Sequence, residues 1–176
     1  MTAESMPAPA GFRLRDAVPA DLEAIHALNE AALPAVNSLT PADIERFAQR
    51  AEYFRVAEAE AGDVVAFLIG LFAGHAYESP NYRWFSRRHE RFAYVDRIVV
   101  AEEARGRGLG AALYDDFARF SAPHAPVLTC EVNLRPRNEP SLRFHERLGF
   151  RRVGTQLTDG GRKQVVLLEK PLGGER

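Results

Sequence analysis

Apolar and polar positions change their period several times along the chain, and each change predicts an element. Phe12 to Arg15 reads as a short strand. After Pro19 and Asp21, the residues Leu22, Ile25 and Leu28 fall at helical spacing and predict a first helix. A second helix has a clear start, with Thr40 as N-cap, Pro41 at the first helical position and Asp43 near the amide end; Ile44, Phe47 and Ala51 then line one face. Tyr53 to Glu60 and Val64 to Phe72 are strand-like and joined through Gly62 and Asp63, which predicts a hairpin. Gly74 to Glu90 reads as a long loop carrying Tyr77, Tyr82, Trp84 and Phe85 among arginines. Then come a strand (Phe92 to Val100), a glycine-rich turn, a helix (Leu109 to Phe120), a strand (Val127 to Val132) and a helix (Pro140 to Leu148). Phe150 to Leu157 and Lys163 to Glu169, joined through Gly160 and Gly161, form a closing hairpin.

Strands and helices mixed in this order over 176 residues predict one α/β domain, residues 12–172, between tails at 1–11 and 173–176. No internal repeat or linker divides it. The hydrophobic share of 46% and charged share of 27% are those of a globular chain and exclude disordered, collagenous and coiled-coil classes. Lys and Arg number 23 and Asp and Glu 24, so the net charge of −1 provides no overall field to gather nucleic acid or acidic lipid. The first residues lack the basic and apolar regions of a secretory leader, and the longest apolar stretch, Val64 to Ala73, is about half a membrane span. The expectation is a cytoplasmic protein with no membrane or nucleic-acid partner. A single cysteine, Cys130, excludes an intrachain disulfide and suits a reducing compartment.

The densest chemistry lies where the strand ending at Val100 meets the next helix through Gly106, Gly108 and Gly110, flanked by Arg105 and Arg107. Glycines let a backbone approach closely, and the amides of a helix N-terminus attract an anion, so the turn suits a phosphate group. A plain strand-to-helix turn is the alternative. No Gly-Lys-Ser/Thr follows, so this is not a Walker loop, and the glycine spacing does not fit a dinucleotide fold. Alternation puts Tyr94, Asp96, Ile98 and Val100 on one face of the strand and Val95, Arg97 and Val99 on the other. Asn138 can cap the helix that follows it, and Gly149 with Phe150 can end that helix.

Arg105-x-x-Gly108-x-Gly110 after Ile98-x-Val100, followed by Asn138-x-x-Ser141-x-x-Phe144-His145-x-x-Leu148-Gly149-Phe150, resembles the two signatures of the GNAT superfamily of acyl-CoA-dependent N-acyltransferases. The resemblance implies a mixed, mostly antiparallel sheet with helices on both faces, splayed at the cofactor site where the Phe92 and Val127 strands diverge. It implies acetyl-CoA as cofactor and direct attack by a primary amine of a small-molecule or peptide acceptor. The cofactor would be held by Ile98, Val99, Val100, Arg105, Gly106, Arg107, Gly108, Leu109, Gly110, Asn138, Ser141 and Phe144. Asp96 and Glu131 are candidates to take the amine proton, with a salt bridge to Arg97 or Arg135 as the other reading of either.

His145 stands where family members most often carry a tyrosine that protonates the departing thiolate. To do so an imidazole would need its pKa raised by an anion such as Glu146; otherwise it packs with Leu142 and Leu148. Asn37, Ser38, Tyr82, Trp84 and Tyr94 are the expected acceptor-binding residues, and the loop from Gly74 to Glu90 is a substrate lid, a dimer contact or a nucleic-acid patch. Cys130 reads as a small core residue, and no metal site is assigned. A non-catalytic acyl-CoA sensor, an interaction module and a protein N-terminal or lysine acetyltransferase are the alternatives, as monomer or homodimer.

Overall fold

A computed structural model describes residues 7–173; the parts of the expected tails at 1–6 and 174–176 lie outside the described residues. The strands are β1 (Phe12–Asp16), β2 (Tyr53–Ala59), β3 (Val64–Phe72), β4 (Ala93–Val100), β5 (Val127–Arg135), β6 (Arg151–Thr158) and β7 (Lys163–Pro171). The helices are α1 (Leu22–Ala31), α2 (Pro41–Arg50), α3 (Pro80–Arg88), α4 (Leu109–Ser121) and α5 (Glu139–Arg147). All seven strands form one open mixed sheet in the order β1-β2-β3-β4-β5-β7-β6. Neighbours β1/β2, β2/β3, β5/β7 and β6/β7 are antiparallel. Strands β4 and β5 are parallel, and their ladder covers two pairs, Ala93↔Leu128 and Tyr94↔Thr129. Two compact units make up the chain, one running to Gly70 and including Asp96–Phe120, the other Leu71–Val95 with the residues from Ser121 onward.

In the first unit the predicted start of α2 is met in full. Thr40 accepts from the Asp43 amide, Asp43 accepts from the Thr40 amide in return, and Pro41 occupies the first turn. Ile25 of α1 and Ile44 of α2 are wholly buried with Val56, Phe67 and Ile69, and form the core of this unit. Within the expected N-terminal tail, the Pro9 carbonyl accepts from the Phe12 amide (3.0 Å) and the Gly11 carbonyl from the Glu60 amide (3.2 Å).

Helix α4 packs Phe117 onto the one place in β3 where a strand residue has no side chain. A Cβ at Gly70 would stand 2.4 Å from the Phe117 ring, which also lies 4.7 Å from the ring of Tyr53. Gly70→Ala is therefore expected to lower the unfolding free energy by about 1–3 kcal/mol through overpacking, read as a shifted urea midpoint. Phe117→Leu in the same chain should recover part of that loss, since it removes the ring that clashes.

In the second unit the structure corrects one expectation. The stretch expected to be a long loop contains α3, because Ser79 accepts from the Tyr82 amide as an N-cap and Pro80 follows it. Tyr82 and Phe85 are 1% and 0% exposed and form the buried face of this helix, with Trp84 half-buried beside them. Two polar contacts fasten the helix to the last strands. Glu169 on β7, buried, accepts from Arg88 Nε (2.8 Å) and His89 Nε2 (2.5 Å), and Gln156 on β6 donates to Asn81 Oδ1 (2.9 Å).

Candidate active site

In the first unit, β4 ends at Val100, a short 3-10 turn covers Glu102–Ala104, and α4 begins at Leu109. Gly106 and Gly108 between them have φ of +76° and +83°, a backbone region closed to most side chains. A Cβ built on Gly106 meets nothing within 4 Å, and one on Gly108 meets only Pro9 Cγ at 3.8 Å. The turn thus offers open backbone at the amide end of a thirteen-residue helix. Arg105 bonds the Val100 carbonyl through Nε (3.3 Å), and Arg107 lies 5.8 Å over the Phe12 ring. These residues fit a diphosphate: glycines where a Cβ would crowd it, two guanidiniums and a helix dipole.

Farther back on β4, Asp96 accepts from Arg97 Nε at 2.8 Å, with both side chains almost fully buried. The residue considered as a proton acceptor is thus engaged with its chain neighbour. Asn37 and Ser38, expected at the acceptor, sit between α1 and α2, where Asn37 bonds Arg97 through its carbonyl and its side-chain oxygen and Ser38 Oγ donates to Glu30.

The second unit places Tyr94 and Glu131 together. The Tyr94 phenol donates to both carboxylate oxygens of Glu131, at 2.9 and 2.8 Å, and its ring stands edge-on to Tyr82 (5.4 Å). Tyr82 itself is a core residue whose hydroxyl donates to the Phe72 carbonyl (2.7 Å) and accepts from the His75 amide (3.0 Å). Trp84 lies against β6, where a Cβ at Gly154 would come within 2.7 Å of its ring. Cys130 is buried, as expected of a small core residue. Asn138 caps α5 by accepting from the Ser141 amide (3.3 Å), so the capping reading holds.

His145 differs from the expectation in the direction of its pKa. Burial pushes it below the ordinary imidazole value, opposite to the raised value a thiolate acid would need, while the bond to Ser141 pulls the other way. Its Nδ1 lies 2.7 Å from the Ser141 carbonyl, which assigns the proton of the neutral ring to Nδ1, and Phe144 and Phe150 face the ring edge-on at 5.3 and 5.4 Å. Because the unfolded chain binds this proton more readily, His145 lowers stability as pH falls below about 6.5. The unfolding midpoint is expected to drop between pH 7 and 5 in the native protein and to drop less in His145→Gln; equal slopes would show that the buried ring does not set it.

Sequence reasoning passed over Asn29 and Glu169. Asn29 is a wholly buried amide four residues after Ile25 on α1, and that break in an apolar row was the available signal. Glu169 carries no such mark, since its partners lie 80 and 81 positions away.

A family model described as the acetyltransferase (GNAT) family matches residues 22–150. No curated protein sequence matches the chain. Among solved structures, Ard1 from Thermoplasma volcanium is similar at 21% identity, covering 94% of this chain and 100% of that one with a TM-score of 0.76. The NAA60 of Arabidopsis thaliana, solved in complex with acetyl-CoA, shows 19% identity over 93% of this chain and 99% of that one, with a TM-score of 0.73. The ribosomal-protein-S18-alanine N-acetyltransferase from Escherichia coli shows 17% identity, coverage of 94% and 96%, and a TM-score of 0.68. No helix among the described residues is long and apolar enough to cross a membrane. With most of its length, residues 22–150, matched by the family model, the chain belongs to the GNAT acetyltransferase family.

Proposed function

We propose that the protein transfers an acetyl group from acetyl-CoA to a primary amine by direct attack in a ternary complex. The observation that carries this reading is the turn from Arg105 to Gly110, with two glycines at positive φ, open backbone and a helix amide end, in a chain of this family. Arg105, Gly106, Arg107, Gly108, Leu109 and Gly110 hold the diphosphate. Backbone groups of Ile98, Val99 and Val100 serve the pantetheine amides in strand fashion, and Asn138, Ser141 and Phe144 are the contributions of α5. Bound acetyl-CoA supplies an acyl thioester. Glu131 takes the proton of the attacking amine, because its carboxylate is held in one orientation by the Tyr94 phenol. Asp96 has the weaker claim, being paired with Arg97. His145 orders α5 through its bond to Ser141.

The test is release of free thiol from acetyl-CoA with a panel of glycine, lysine, spermidine, an aminoglycoside and short peptides with free N-termini. At least one is expected to be acetylated, and a peptide would align the protein with the alanine N-acetyltransferase it resembles in fold. One observation favours a second reading, a non-catalytic acyl-CoA sensor: the imidazole in the tyrosine's place is pushed toward the neutral form. Acetyl-CoA binding without any thiol release, even to water, would select it.

A further inference from the structure

The segment between α1 and α2 is held from inside by one guanidinium. Arg97, 6% exposed, donates Nε to Asp96 Oδ2 (2.8 Å), Nη1 to Asn29 Oδ1 (2.9 Å) and to the Asn37 carbonyl (3.0 Å), and Nη2 to Asn37 Oδ1 (2.8 Å). The buried amide of Asn29 adds a bond from Nδ2 to the same Asn37 carbonyl (3.1 Å) and another to Glu30 Oε2 (2.8 Å). Glu30 accepts in turn from Ser38 Oγ and from the Leu39 amide (3.3 Å). One chain of hydrogen bonds therefore runs from β4 to the tip of the segment. The Arg97 cation also stands 5.8 Å over the ring of Phe47 on α2.

Closing the connection between two helices does not need a buried arginine, and α2 already has its own cap in Thr40 and Asp43. Burying a guanidinium is costly, and a site that satisfies it on four oxygen atoms at once fixes a single arrangement of the groups around it. What is fixed here is the position of Asn37 and Ser38.

We propose that Arg97 is a positioning residue for the amine acceptor: through Asn29 and Asn37 it holds the segment between α1 and α2 in the one shape that admits the acceptor. The inference rests on the acetyltransferase reading above, with Asn37 and Ser38 as the acceptor-binding residues that the resemblance implies. It gives Asn37 a definite part, because Asn37 Oδ1 serves Arg97 and acts on the acceptor through the shape of the segment.

The experiment compares Asn37→Ala, Asn37→Asp and Arg97→Lys, using the best acceptor of the amine panel. Aspartate keeps an oxygen toward Arg97, and alanine does not. Asn37→Ala is expected to raise the acceptor KM about tenfold or more while kcat and the acetyl-CoA Kd stay within about twofold. Asn37→Asp is expected to return KM to within about threefold of the native value, and Arg97→Lys with Asn37→Ala to be no worse than either alone. Hydrogen exchange over residues 32–39 should quicken in Asn37→Ala and Arg97→Lys and not in Asn37→Asp. If Arg97→Lys does not fold, the two Asn37 variants decide. Asn37→Asp as damaging as Asn37→Ala would mean that the Asn37 amide itself bonds the acceptor, and an unchanged KM in Asn37→Ala would mean that the segment's shape is immaterial; either overturns the proposal. A native protein that acetylates nothing on the panel instead fails the acetyltransferase reading, and the acceptor role of Arg97 with it.

Discussion

Gly108→Asp is expected to abolish acetyl-CoA binding. In the native protein, acetyl-CoA at a hundredfold excess over its Kd adds about 2.7 kcal/mol to stability, a shift that a thermal melt resolves. The variant should show none at the same concentration. Gly108 has φ of +83° and sits one residue before α4, where the amides that would meet the diphosphate point outward. A carboxylate there opposes the ligand's charge and occupies its approach. Gly108→Ala provides the comparison: it carries the same backbone cost, of about 1–2 kcal/mol for a side chain in the left-handed region, without the charge. It should lower the melting temperature of the free protein while keeping a reduced shift. A full ligand shift in Gly108→Asp would remove the turn from the binding site.

The second large effect is expected at Glu131→Gln, with kcat lowered by about a hundredfold to ten-thousandfold, the range for a lost general base. The amide keeps the size of the side chain and can still accept from the Tyr94 phenol, so the fold and the acetyl-CoA shift should persist. Asp96→Asn serves as the contrast. Its partner is a guanidinium that is also buried, so the neutral amide leaves a charge unpaired, and the expected loss is chiefly in stability. A Glu131→Gln protein of native kcat, beside a catalytically dead Asp96→Asn protein that still melts normally, would exchange the two roles.

Much of this arrangement was legible in the residue pattern because its signals are local. The cap at Thr40, the turn at Arg105 to Gly110 and the Asn138 cap each depend on residues within a few positions of one another. Helix α3 had its local signal too, Ser79 followed by Pro80 with Arg87 and Arg88 in the last turn, but aromatics interleaved with arginines have the look of a long loop. Two of those aromatics, Tyr82 and Phe85, are the buried face. For His145 the sequence presented a neighbouring carboxylate and the packing presented burial, which acts in the opposite direction and outweighs the bond to Ser141. The Arg97 cluster was beyond reach, since its partners lie 60 and 68 positions away and only the folded chain brings them together.

Strand β7 is made after both β5 and β6, yet in the sheet it lies between them. Of the two, β6 is made just before it and reaches β5 only through it, because β7 pairs with β5 from Val127↔Pro171 to Arg135↔Gln164 and with β6 along its other edge. Until residues 163–171 leave the ribosome, β5 lacks its antiparallel neighbour, β6 has nothing to pair with, and α3 lacks the Glu169 carboxylate that fastens Arg88 and His89. The second unit therefore cannot complete its part of the sheet until β7 has been made. A stop codon at Val165, which removes most of β7, would leave an open sheet edge exposed to other chains, the kind of edge through which partly made proteins aggregate.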